Sequence, residues 1–80
     1  MKYLNLLDLK IRMVKEKGYW RSIGLAKLKL GKNEDNAYVI NYFGSMGIIL
    51  ESIKDPYSFK FKTKLDETAA FALFGSIHEY

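Results

Sequence analysis

Tyr57-Ser58-Phe59-Lys60-Phe61-Lys62-Thr63-Lys64-Leu65 decides the fold class. Tyr57, Phe59, Phe61, Thr63 and Leu65 fall on one side of an extended chain, and Ser58, Lys60, Lys62 and Lys64 on the other. A period of two with one side apolar is the pattern of a half-buried β-strand. Such a strand needs partners, and the flanking sequence supplies candidates. Just before it, Lys54-Asp55-Pro56-Tyr57 holds the single proline of the chain and reads as a turn.

Further upstream, residues 37–43 and 47–54 carry large apolar residues at both parities: Tyr38, Val39, Ile40, Tyr42 and Phe43, then Ile48, Ile49, Leu50 and Ile53. This predicts two interior strands covered on both sides. Gly44-Ser45-Met46-Gly47 would join them as a hairpin loop whose glycines supply positive φ. Residues 19–30 change parity, with Ile23 and Leu25 on odd positions and Leu28 and Leu30 on even ones. A bulge near Ala26 or a bend at Gly24 reconciles the halves.

Residues 4–16 support two readings. As a helix, Asn5 caps with Asp8 three residues on, Leu4 and Leu9 staple, and Lys15, Lys17 and Gly18 mark the end. As a strand, Leu7, Leu9, Ile11 and Met13 alternate with Asp8, Lys10 and Arg12, whereas a helix brings Lys10 and Lys17 into its apolar arc. The alternation tips the reading to strand. Residues 66–79 open with Asp66 and Glu67, which suit a helix N-terminus, and continue through Ala69, Ala70, Phe71, Ala72, Leu73 and Phe74. A helix apolar over most of its circumference must lie across the sheet, with any remaining face against a partner. The expected architecture is α+β: a small antiparallel sheet of four to five strands, a C-terminal helix packed across one face, and an additional N-terminal helix if residues 4–16 take the helical alternative.

The 80 residues make one domain, 1–80, and no internal repeat or linker is read in them. With 49% hydrophobic and 28% charged residues, the chain carries enough apolar surface to form a core. A chain this short buries only about 60% of its unfolded surface, so a homodimer is a fair expectation. Cysteine is absent, which excludes disulfides, thiolate nucleophiles and Cys-based zinc or iron–sulfur sites, and one histidine, His78, makes no cluster. The longest small or apolar run, residues 69–75, is far short of a membrane helix. Asn5, Asp8, Lys10 and Arg12 interrupt any signal-peptide core, so a cytoplasmic location is expected.

Charge is unevenly placed: residues 1–32 hold nine basic against two acidic side chains, and residues 33–80 four against seven. The first part is therefore +7 and the second −3, which points to an acidic partner or to a second copy docking its acidic part on the basic one. Eleven of the thirteen basic residues are lysine, a point charge without the fork arginine uses on bases, so any nucleic-acid contact is expected to be weakly sequence-specific. Three segments alternate cations with core residues: Lys10 and Arg12, Lys27 and Lys29, and Lys60, Lys62 and Lys64. On one sheet they make a basic surface at phosphate-like spacing, because alternate strand residues lie about 6.5–7 Å apart. The competing explanation is that the first and last strands are sheet edges, where lysine guards against aggregation.

Among the aromatic residues, Tyr19, Trp20 and Tyr57 flank expected turns and are candidates for stacking on bases or anchoring a protein. Gly44-Ser45-Met46-Gly47 has the GxxG spacing of KH domains, but KH places it between two helices, and here both neighbours read as strands. No phosphate-binding loop or dinucleotide fingerprint is present. Ser45 lacks the surroundings of a nucleophile elbow, and His78 is better explained as a solvated side chain near a helix end. The expectation is a non-enzymatic binding module without cofactor or metal, contacting nucleic acid or a nucleoprotein, of the size of small phage or mobile-element regulators. The alternative is a protein–protein inhibitor or adaptor acting through the aromatic turns and the C-terminal helix.

Overall fold

The segment that decides the fold class is a strand in the computed structural model, which describes residues 4–15, 18–31 and 35–76. In order, the elements are β1 (Leu4–Met13), β2 (Ser22–Leu30), α1 (Asn36–Ser45), β3 (Ile48–Ser52), β4 (Ser58–Thr63) and α2 (Glu67–Gly75). The four strands form one antiparallel sheet in the order β1-β2-β4-β3. Both helices cover one face, α1 mainly against β3 and α2 mainly against β1. Among the described residues the other face carries no helix. No helix among the described residues is long and apolar enough to cross a membrane.

On the covered face, Ala26 and Leu28 of β2, Ile48 and Leu50 of β3, and Phe59 and Phe61 of β4 meet Val39 and Phe43 of α1 and Phe74 of α2. Phe74 is the keystone, with its ring stacked on Phe43 at 5.0 Å between centroids and tilted against Phe61 at 4.9 Å. Two buried hydroxyls join the layers, each with its own hydrogen-bond partner. Ser22 Oγ donates to the carbonyl of Leu65 at 2.7 Å, just before α2. Thr63 Oγ1 donates to the carbonyl of Gly47 at 2.6 Å, just after α1.

Leu4–Met13 take the strand alternative, so the second helix is not N-terminal. It is α1, in residues expected to form an interior strand. Asp35 caps it by accepting a hydrogen bond from the Tyr38 N–H at 2.8 Å, and Val39 and Phe43, four residues apart, are buried on one stripe. Apolar residues at both parities are thus explained by a helical period. Gly44-Ser45-Met46-Gly47 is a helix end leading into a strand rather than a hairpin loop. Of its glycines, Gly47 alone has positive φ, at 87°.

Residues 48–52 form an edge strand with one face on the core, not an interior strand covered twice. Likewise, β2 keeps a single parity: Ser22, Ala26 and Leu28 are buried, while Leu25, Lys27 and Lys29 are exposed on the open side. The bulge lies across from it in β1, where Leu6 pairs with Leu28 and Asp8 with Lys27, leaving Leu7 unpaired and exposed. Leu7 therefore drops out of the Leu9, Ile11, Met13 series. The turn at residues 54–57 is present as expected. Asp55 accepts from the N–H groups of Tyr57 and Ser58, both at 2.8 Å, and from Ser58 Oγ at 3.0 Å. Chiefly the Tyr57 bond, with the Ser58 bonds and the charge of Lys27 assisting against a desolvation cost, holds its carboxyl below the usual carboxylate range.

A repeated plan also emerges. Each half is ββα, and a shift of 31 positions carries the Asp35 cap onto the Asp66 cap, buried Val39 onto buried Ala70, and buried Phe43 onto buried Phe74. Phe43-Gly44-Ser45 then falls on Phe74-Gly75-Ser76. The order β1-β2-β4-β3 sets the halves in a two-fold-like arrangement, each helix packing on the outer strand of the other half.

Candidate nucleic-acid interface

The uncovered sheet face is set by register. One row runs Arg12, Ile23, Lys62, Ile49 from β1 to β3, and the next runs Lys10, Leu25, Lys60, Glu51. Neighbouring strands lie about 4.8 Å apart and alternate residues about 6.5–7 Å, so Lys10, Arg12, Lys60 and Lys62 stand at the corners of a rectangle roughly 7 by 10 Å. Ile23 and Leu25 of β2 floor it. A groove of about 520 Å³ opens there, bordered by these six side chains together with Ile49 and Glu51 of β3.

A third row places Asp8 beside Lys27 and Lys27 beside Ser58. Lys29 follows on the same side of β2, paired with Asn5. Six of the seven expected cations therefore share one face. Two acids on that face temper them: Glu51, whose carboxylate lies 3.7 Å from Lys60 Nζ, and Asp8 opposite Lys27. The Lys60–Glu51 pair is well exposed, so it contributes little to stability and holds Lys60 weakly.

Lys64 lies just past β4. Its Nζ is 3.9 Å from the centroid of the Tyr19 ring, and Lys62 Nζ is 5.0 Å from that of Trp20. The two rings meet edge to face at 89°, with centroids 4.9 Å apart. Exposed cation–π contacts of this kind contribute about 0.5–1 kcal/mol each. Tyr19 and Trp20 thus sit at the end of the basic face where β4 finishes. Tyr57 precedes β4 and stands at the other end, where its carbonyl accepts from the Leu28 N–H at 2.8 Å. The aromatic candidates therefore do not form one cluster, and His78 lies outside the described residues.

Sequence reasoning missed the apolar floor. The parity change at residues 19–30 says nothing of an exposed apolar row, yet Leu25 is 48% exposed and Ile49 43%. The available signal was the strict alternation of Lys27 and Lys29 with Leu28, which extends back to Leu25 and Ile23 without a break in parity.

The edge-guard explanation also meets the topology. β1 is an edge, but β2 and β4 are the two interior strands, so Lys27, Lys60 and Lys62, each paired across β2 and β4, guard no open edge. Comparison with protein-family models, with curated proteins and with solved structures finds no match.

Proposed function

We propose that the protein is a non-enzymatic binding module whose uncovered sheet face docks on nucleic acid, alone or within a nucleoprotein. The observation that carries this reading is the set of cations on the edge strand β1 and the interior strand β4 around an apolar floor on β2, facing away from both helices. Negative phosphates complement the corners, and the floor offers contact to sugars and base edges. Lysine predominance supports an affinity governed by charge more than by sequence.

The test is charge reversal. Lys60→Glu with Lys62→Glu inverts one side of the rectangle, and oligonucleotide binding in a gel-shift titration is expected to vanish. Unchanged binding would overturn the proposal.

A second reading, docking on a protein, draws on Phe71 of α2, which is 62% exposed, and on exposed Tyr57. It predicts that the same charge reversal leaves partner binding intact.

A further inference from the structure

Tyr19 and Trp20 lie where the lysine row of β4 ends, and each presents a ring face to a lysine of that row: Trp20 to Lys62 and Tyr19 to Lys64. Tyr19 is 64% exposed and Trp20 is half-buried, so the pair is anchored on one side and accessible on the other.

We infer that this pair is a stacking platform for an unpaired base, and hence that the nucleic acid taken by the basic face is single-stranded. The inference rests on the proposed docking of nucleic acid and specifies which form. A ring face that attracts an ammonium through its negative quadrupole is also one on which a nucleobase stacks. Lys62 and Lys64 are both exposed, and what holds each on its ring is a single exposed contact. When a base takes the ring face, the ammonium moves to the adjoining phosphate, and one device serves both halves of the nucleotide.

Lys60, Lys62 and Lys64 repeat every second residue, about 6.5–7 Å apart, and lead from the groove to the platform as a track for a phosphate chain. In a duplex the base faces are covered by their neighbours in the stack, so the platform has nothing to receive. The edge-to-face setting of the rings gives two perpendicular faces rather than one continuous shelf, which suits one or two splayed bases rather than a long stack.

Trp20 is the single tryptophan of the chain, so its emission reports on the platform alone. Oligothymidylate and a mixed-sequence duplex of equal length are each titrated into the full chain, reading Trp20 emission and, in parallel, the anisotropy of end-labelled oligonucleotide. The expected result is saturable quenching by the single strand at the stoichiometry seen by anisotropy, with little quenching by duplex. Trp20→Ala should weaken single-strand binding by about 5- to 150-fold and leave duplex binding unchanged. Trp20→Phe should retain most of the affinity, and circular dichroism shows whether each variant is folded. Should Trp20→Ala fail to fold, Tyr19→Ala, which removes a more exposed ring, carries the same expectation. Single-strand binding with unchanged Trp20 emission, or an equal loss on both nucleic acids in the ring variants, overturns the platform and leaves the basic face standing. Absence of binding by any oligonucleotide overturns both.

Discussion

A side chain at position 24 has nowhere to go. A Cβ on Gly24 falls onto the carbonyl oxygen of Lys10 in β1 and 2.7 Å from Cζ of Phe61. The ring has some freedom, but the carbonyl belongs to the sheet ladder. Gly24→Ala is therefore expected to destabilise by at least about 1–3 kcal/mol, an overpacking cost that lowers the melting temperature by roughly 4–8 °C per kcal/mol. Thermal denaturation followed by circular dichroism checks it, and an unchanged melting temperature would contradict the close approach of β1 and β2. Asp55 makes a pH-dependent prediction. Its carboxyl is held below the usual range, so its contribution to stability is present above the unfolded-state value of about 3.9 and is lost as pH falls through the lower folded-state value. The stability difference between the native chain and Asp55→Ala, measured by urea unfolding, should shrink steadily as pH drops below about 4. Of these two residues, the turn at Asp55 was legible because Asp-Pro carries its own local signal. The role of Gly24 was not, because it depends on what lies across the ladder.

Phe74 joins α2 to both α1 and β4, whereas Phe71, three residues earlier on the same helix, points to water. Phe74→Ala should cost about 3–5 kcal/mol, comparable with the whole stability expected of a domain this size, and leave the chain largely unfolded. Phe71→Ala should stay within about 0.5 kcal/mol of the native chain. Urea denaturation of the two variants distinguishes them, and similar midpoints would contradict the assigned core. The reach of sequence reasoning at this scale follows from the same packing. β4 and α2 were legible because one has a strict two-residue period and the other opens on acids before a run of strong helix formers. α1 was not, because Tyr38, Val39, Ile40, Tyr42 and Phe43 favour strands, and it takes tertiary burial of Val39 and Phe43, beside the Asp35 cap, to make them helical. The clue was its likeness to α2, since both begin on a capping Asp and end on Phe-Gly-Ser.

At the scale of the whole molecule, the repeated ββα plan leaves one sheet face without a helix among the described residues, and the charge pattern gathers on it. The sequence showed that cations alternate with core residues but not that three strands would share the resulting side, since strand order is set by non-local pairing. The topology β1-β2-β4-β3 moves the most regular lysine row from the expected edge to the interior, turning a guard against aggregation into the side of a groove. The central claim is that this face binds nucleic acid through its charge. It is tested most directly by the anisotropy of a labelled single-stranded oligonucleotide titrated across a salt series with the native chain and with the Lys60→Glu, Lys62→Glu variant. Four phosphates neutralised by Lys10, Arg12, Lys60 and Lys62 predict a log–log slope of about −2.8 for the native chain, with binding lost in the variant. No binding at low salt, or equal binding by the two proteins, would contradict the account.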